Sequence, residues 1–163
     1  MSMSCLSHSP EETQAAGRRL ADAVAGRGTV VSLEGALGAG KTVFAKGFAA
    51  GLGVDPDAVA SPTFVIANQY ETGRRTRLVH ADLYRLRDAA ELDAAGALDW
   101  LAPDCIAILE WGDRFREWLP EDHIRVRLER VDADTRRIEM CAGGAVSEAV
   151  IAGIADLSSG TRS

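Results

Sequence analysis

The chain has 163 residues, 47% hydrophobic and 26% charged, which is typical of one soluble globular domain; we expect that domain at residues 1–157 and a disordered tail at residues 158–163. Its formal net charge of -6 argues against a broad nucleic-acid surface, because neutralising phosphates requires a basic excess. Three cysteines without paired spacing, and no secretion leader or membrane-length apolar run, indicate a cytoplasmic protein that does not enter a membrane.

The N-terminal third predicts a helix, a strand, a glycine-rich loop and a second helix. Ser9, followed by a proline and two glutamates, predicts the start of a helix that runs to about residue 25. The β-branched segment Thr29–Glu34 predicts a strand, and apolar residues at helical spacing predict a helix at residues 42–52, closed by Gly53. The loop at residues 35–42 therefore connects a strand to a helix.

The remaining residues predict a mixed sheet. Residues 61–64 (SPTF) lead into a strand to about residue 70, and a turn at residues 73–75 precedes a second strand at residues 77–83. Asp88 predicts the cap of a short helix to residue 95. The apolar run at residues 105–111 predicts a buried strand, and residues 124–128 and 136–140 predict an antiparallel hairpin.

The loop at residues 35–42 reads GALGAGKT and matches the phosphate-binding pattern in full. In such a loop, backbone N–H groups surround the phosphates, Lys41 reaches the outer phosphates, and Thr42 offers its hydroxyl to Mg²⁺. We predict α/β architecture, a P-loop NTPase-like three-layer fold with a mixed central sheet and a C-terminal antiparallel hairpin. The alternative is a glycine-rich turn with a chance GKT. The predicted nucleotide-binding residues of the loop are Gly35, Leu37, Gly38, Ala39, Gly40, Lys41 and Thr42.

A phosphate-loop enzyme also needs a carboxylate at the end of a neighbouring strand to hold the metal. Glu110 ends the most apolar strand, where a carboxylate is costly without a cation, so we favour Glu110 as the metal ligand. The alternative is a rim glutamate after a core strand. Asp82 ends a less apolar strand and remains for orienting the attacking water or the metal shell, or simply for capping or pairing with Arg85.

Two further residues have less specific roles. His80 fits a buried structural histidine better than a catalytic base. Thr63 follows a proline before a strand, so it could approach the metal or the terminal phosphate as switch-loop threonines do, or be an ordinary strand-entry residue. The chain has no N-K-x-D segment, and the Asp82 stretch reads DLYR rather than D-x-x-G. These differences from guanine-specific switches favour adenine.

Four motifs in this order resemble the bacterial TsaE (YjeE) family, which takes part in making threonylcarbamoyladenosine on tRNA. They are GALGAGKT, SPTF, HADLYRL from His80, and the Glu110–Trp111 pair, and the likeness covers roughly residues 9–140. The resemblance implies a slow Mg²⁺-dependent ATPase that binds the TsaB and TsaD proteins and contacts tRNA only indirectly. Its ATP hydrolysis would support modification of adenosine 37 in tRNAs that read codons beginning with A.

The same resemblance implies roles for individual residues. The phosphate loop, with Lys41, would hold ATP, and Thr42 and Glu110 would hold magnesium. Asp82 matches a position important for hydrolysis, and Thr63 lies in a switch-like loop, so both join Lys41 as candidate catalytic residues. Asp113 and Arg136 are the nearest matches to nucleotide contacts after the Glu-Trp pair and in the C-terminal hairpin.

Two rival functions remain open from the sequence. One is a small-molecule P-loop kinase, which would need an acceptor pocket and usually an arginine-bearing lid. The other is an ATP-sensing interaction module in which turnover is incidental.

Overall fold

One mixed sheet organises the protein, and the computed structural model describes residues 1–60 and 65–159. The spatial order of its seven strands is β1-β7-β6-β2-β5-β4-β3. The strands are β1 (Ser2–Ser7), β2 (Thr29–Glu34), β3 (Ala67–Glu71), β4 (Arg77–Asp82), β5 (Cys105–Glu110), β6 (Ile124–Arg130) and β7 (Arg136–Ala142).

The centre of the sheet is parallel and both ends are antiparallel. Strand β2 pairs in parallel with β5 and β6, and β5 pairs in parallel with β4. The β6–β7 pair forms the expected C-terminal hairpin, and β3 pairs antiparallel with β4 at the opposite end. Because parallel strands end at the same edge, the carboxyl ends of β2, β4 and β5 meet, and the glycine loop leaves the sheet there.

Two of the four α-helices begin at caps that the sequence predicts. They are α1 (Pro10–Val24), α2 (Lys41–Gly51), α3 (Ala89–Ala94) and α4 (Ala145–Ser159). The Ser9 side chain caps α1 by accepting from the Glu12 amide, and the Asp88 side chain caps α3 by accepting from the Glu91 amide. Both predicted caps are therefore confirmed.

Helices cover both faces of the sheet, which confirms the expected three-layer α/β fold. One core lies between α1, α2, α4 and the sheet, with Leu20, Phe44 and Ile108 fully buried in it. The second core lies on the other face, where Leu92 of α3 and Trp100 of the short 3₁₀ helix Ala97–Leu101 pack. Strand β5 contributes to both cores, so all six of its residues are buried.

Helices α1 and α2 approach each other closely through glycines. A Cβ atom added to Gly47 would lie 1.9 Å from the Gln14 carbonyl oxygen, and one added to Gly17 would lie 2.3 Å from the Phe44 carbonyl oxygen. No side chain fits at either distance. Since α2 begins at Lys41, this contact also sets the position of the helix that carries the end of the loop.

One strand and one α-helix of the described structure were not predicted from the sequence. Strand β1 pairs antiparallel with β7, and α4 packs Val150, Ile151 and Ile154 into the first core. Helix α4 ends at Ser159, so the first two residues of the expected disordered tail are helical, and residues 160–163 lie outside the described part of the chain. Within residues 1–60 and 65–159, no helix combines the length and apolar character needed to cross a membrane.

Candidate functional site

The backbone of the glycine loop opens towards the C-terminal edge of the sheet. Gly38 and Gly40 have φ angles of 79° and 104°, values that residues with a side chain rarely adopt. Gly40 lies directly before α2, so the first amides of that helix face out of the loop end. This geometry is that of a phosphate cradle at a helix N-terminus.

The loop forms one wall of a cleft of about 320 Å³. The cleft brings together most of the predicted site. Its lining residues are Leu37, Gly38, Gly40, Lys41, Thr42, Val43, Asp82, Glu110, Trp111 and Arg136. Of the other predicted loop residues, Gly35 lines a neighbouring cleft, and Ala39 is buried behind the loop.

Lys41 is buried with its ammonium group directed into the loop. Its Nζ atom donates to the Gly35 carbonyl oxygen at 2.6 Å and to the Ala36 carbonyl oxygen at 3.0 Å. Burial lowers the pKa of the Lys41 ammonium, and the nearby carboxylates of Glu110, Asp113 and Asp82 oppose that shift. A cation held at the loop in this way can move a short distance to a phosphate oxygen.

Thr42 and Glu110 lie side by side in the cleft. The Thr42 hydroxyl donates to Glu110 Oε1 at 3.0 Å, across 68 positions of sequence. Glu110 is 3% exposed and ends β5 between Leu33 of β2 and Asp82 of β4. The structure therefore places both predicted metal ligands at one point of the cleft.

Glu110 is also held from behind by a histidine. His80 Nε2 lies 2.5 Å from Glu110 Oε2, and the His80 side chain is fully buried. This position excludes a role for His80 as a base that meets substrate, and agrees with the expectation of a core histidine. The pairing of His80 with Glu110 was not predicted, because it depends on the register of β4 against β5.

Asp82 ends β4 opposite Glu110 and lines the same cleft. Its Oδ1 atom accepts a hydrogen bond from the Tyr84 amide at 3.0 Å, which agrees with the capping alternative given for this residue. That bond orients the carboxylate at the edge of the cleft. Asp82 is thus positioned to take part in hydrolysis as well, and that role stays a prediction.

Trp111 is a cleft residue that the sequence indicated only as part of a motif. It follows β5 with a φ of 63°, a left-handed conformation that ends the strand and turns the ring over the loop. The Lys41 ammonium lies 4.0 Å from the ring centroid, and the Tyr84 ring centroid is 5.0 Å away. The indole therefore forms a cation–π contact at the site.

Arg136 and Asp113 take different positions relative to the cleft. Arg136 lines it and donates to the Gly38 carbonyl oxygen at 3.4 Å. Asp113 lies on the other side of the loop, where it lines a polar cleft of about 440 Å³ together with Glu34. Whether either residue contacts a nucleotide stays a prediction. Thr63, with the rest of SPTF, lies outside the described residues.

The residues of the cleft fit a nucleotide with a magnesium ion. Among the described residues, no group of three or more histidine, cysteine, aspartate or glutamate side chains is arranged to hold a metal by itself. Mg²⁺ usually takes one or two protein oxygens and completes its shell with water and phosphate oxygens. The Thr42 hydroxyl and the Glu110 carboxylate are such a pair, and the Lys41 ammonium would supply positive charge for the phosphates.

Comparison with known protein families gives a match over most of the chain. Residues 7–138 match the family described as "Threonylcarbamoyl adenosine biosynthesis protein TsaE". This region includes the loop, the two carboxylates of the cleft and Arg136.

Individual relatives are similar over about four fifths of their length. A Bacillus subtilis protein named "tRNA threonylcarbamoyladenosine biosynthesis protein TsaE" is 40% identical over 135 residues, which cover 83% of this chain and 82% of the relative. A protein of the same name from Mycobacterium tuberculosis is 40% identical over 141 residues, covering 82% and 83%. The crystal structure of Bacillus subtilis YdiB superposes with a TM-score of 0.77 and 31% identity, and 97% of each chain is covered.

Proposed function

Because the chain belongs to the TsaE family of threonylcarbamoyl adenosine biosynthesis proteins, we propose that it binds and hydrolyses ATP with Mg²⁺ in support of that pathway. The hydrogen bond from Thr42 to Glu110 carries the proposal. It places a hydroxyl and a carboxylate 3.0 Å apart in the cleft that also holds Lys41. These are the three side chains that a magnesium-dependent phosphate loop requires.

The residues of the cleft divide between the two parts of the ligand. Thr42 and Glu110 would hold Mg²⁺, and the loop amides with Lys41 would hold the phosphates. Arg136 of the C-terminal hairpin, which donates to the Gly38 carbonyl oxygen, would contact the nucleotide. When bound, the magnesium ion neutralises charge on the phosphate oxygens.

Hydrolysis then depends on positioning and on fixed positive charge. The Lys41 ammonium and the loop amides stabilise negative charge that develops on the outer phosphate oxygens. The Asp82 carboxylate, oriented by the Tyr84 amide, would direct a water molecule towards the outer phosphate. We assign Thr63 to the same step on the resemblance alone.

The partners follow from the family and are part of the proposal. The relatives are named as tRNA threonylcarbamoyladenosine biosynthesis proteins, and we propose that this chain acts with TsaB and TsaD in modifying adenosine 37. Its net charge of -6 suits a subunit that leaves tRNA contact to those partners. The free cysteines Cys5, Cys105 and Cys141 are consistent with action in the reducing cytoplasm.

ATP hydrolysis by the purified chain, with and without saturating TsaB and TsaD of the same organism, tests the proposal. We expect slow Mg²⁺-dependent hydrolysis by the chain alone and a faster rate with the pair. Equal rates under both conditions would contradict the assignment to this machinery. Phosphate transfer to a metabolite in a substrate screen would instead support a small-molecule kinase.

The Glu110→Gln variant separates hydrolysis from simple ATP sensing. We expect this variant to bind nucleotide, to hydrolyse it poorly and to fail in supporting tRNA modification. Full modification in the absence of hydrolysis would favour an interaction module with incidental turnover. Glu117→Gln is a matched control, because Glu117 is an exposed glutamate outside the cleft.

A further inference from the structure

We propose that His80 is a positioning residue, which holds Glu110 so that one carboxylate oxygen faces the cleft. This inference rests on the proposed role of Glu110 as a magnesium ligand. His80 lies in β4 and Glu110 ends β5, and the side chains meet behind the cleft with 2.5 Å between Nε2 and Oε2. Nothing in the phosphate-loop pattern requires a histidine at this place.

The two oxygens of Glu110 have separate partners. Oε1 accepts from the Thr42 hydroxyl at 3.0 Å, and Oε2 faces the imidazole. An ionised carboxylate, the form in which Glu110 would bind a metal, only accepts hydrogen bonds, so in that form the imidazole donates from Nε2 to Oε2. The ring thereby restrains the carboxylate rotation and keeps Oε1 beside Thr42.

Packing alone does not explain a histidine here. On the same face, the neighbours of position 80 include Leu78 in β4 and the paired Ile108 in β5, both fully buried, and the paired Asn68 in β3, which is partly buried. Within the described chain, His80 Nδ1 is buried without a hydrogen-bond partner. An aliphatic side chain would avoid that cost, so the contact with Glu110 is the feature that accounts for an imidazole.

Other metal sites indicate how much metal affinity is lost when such a contact is removed. Carboxylates that bind metals are themselves hydrogen-bonded, and loss of that outer partner typically weakens metal affinity about 10- to 100-fold. His80 does not line the cleft, so its loss leaves the loop contacts with the phosphates in place. We therefore expect weaker metal binding with little change in the affinity for metal-free nucleotide.

Two variants of the full chain test this. His80→Leu introduces an apolar side chain of similar bulk that cannot donate, whereas His80→Gln introduces an amide donor that can reach Glu110. Mn²⁺ affinity in the presence of a non-hydrolysable ATP analogue is measured by electron paramagnetic resonance. Calorimetry with the analogue in EDTA gives the metal-free affinity, and urea unfolding gives stability.

We expect His80→Leu to weaken Mn²⁺ affinity about 10- to 100-fold and His80→Gln to recover most of it. Unchanged Mn²⁺ affinity in His80→Leu would overturn the inference, and so would equal losses in both variants. A wild-type chain that binds the analogue but no Mn²⁺, or binds neither, would overturn the proposed function and the inference with it. Normal wild-type binding with an unaffected His80→Leu variant would overturn the inference alone.

Discussion

Replacing Lys41 with methionine removes the ammonium group from the loop and keeps a straight side chain of similar length. In the proposed function, that group makes charge-assisted contacts with the outer phosphates. A hydrogen bond to a charged group contributes about 1.5–3 kcal/mol, so we expect Lys41→Met to weaken ATP binding by about 10- to 150-fold.

The same substitution should cost the fold much less. Lys41 is 5% exposed, and burial lowers the pKa of its ammonium despite three nearby carboxylates, so the buried charge is not fully compensated. Methionine removes that desolvation cost, but it also removes the bonds to the Gly35 and Ala36 carbonyls. Since these effects have opposite signs, we expect the free energy of unfolding to change by less than about 1 kcal/mol.

Isothermal titration calorimetry with ATP and Mg²⁺ gives the affinity, and urea unfolding followed by circular dichroism gives the stability. Lys46→Met is the matched control, because Lys46 lies on the same helix and does not line the cleft. An unchanged ATP affinity in Lys41→Met would refute the phosphate role. A loss of stability as large as the loss of binding energy would show instead that the substitution disrupts the loop.

Three further changes test the fold around the site. Gly47→Ala would place a Cβ atom 1.9 Å from the Gln14 carbonyl oxygen, so we expect it to lower the free energy of unfolding by about 1–3 kcal/mol, as urea unfolding can measure. Gly73→Ala is the control and should change the stability little, because nothing lies within 4 Å of a Cβ atom at that position. Burial raises the pKa of the Glu34 carboxyl, so its charged form destabilises the native state at neutral pH. Glu34→Gln should therefore raise the free energy of unfolding at pH 7. This gain in stability should vanish below about pH 4, where the carboxyl is protonated in both the folded and the unfolded state. A gain that persists at low pH would contradict that cause. Burial raises the pKa of Cys105 to about 11, so iodoacetamide at pH 8 should leave this thiol unmodified until urea unfolds the chain, as peptide mass spectrometry can show.

Local patterns predicted the parts of the fold whose contacts lie close in sequence. The side chains of Ser9 and Asp88 accept hydrogen bonds from amides three positions away. Each cap can therefore be recognised within one short segment of sequence. The buried strand β5 was likewise evident, because both of its faces pack against a core and every residue is apolar up to Glu110.

Helix α4 was missed because its N-terminus is capped from elsewhere in the chain. The Asp122 carboxylate accepts from the amides of Val146 and Ser147, at 2.9 Å and 3.1 Å, from 24 and 25 positions away. A hydrogen bond with the Ser147 side chain is the largest cause that lowers the pKa of Asp122, and the two amide bonds lower it further. No capping side chain lies directly before α4 to predict its start, as Ser9 does for α1.

Strand β1 was missed for a related reason. Its inward residues Met3 and Cys5 are only partly buried, and Leu6 faces outwards with 52% exposure. The strand is stabilised by pairing with β7, which places Ser4 opposite Glu139. Such long-range pairing can override a weak local pattern.

The candidate site depends on local sequence motifs and on contacts between residues that are distant in sequence. The loop residues are contiguous and were predicted by their spacing, whereas Glu110 meets Thr42 across 68 positions and His80 across 30. These contacts exist only after β2, β4 and β5 have paired in register. The unfolded chain therefore lacks the site, and a ligand bound there stabilises the native state by mass action, by about 2.7 kcal/mol at 100 times its dissociation constant. Because the loop and the Glu110 contacts are supplied by different elements, phosphate binding and metal binding are separable contributions to that stabilisation.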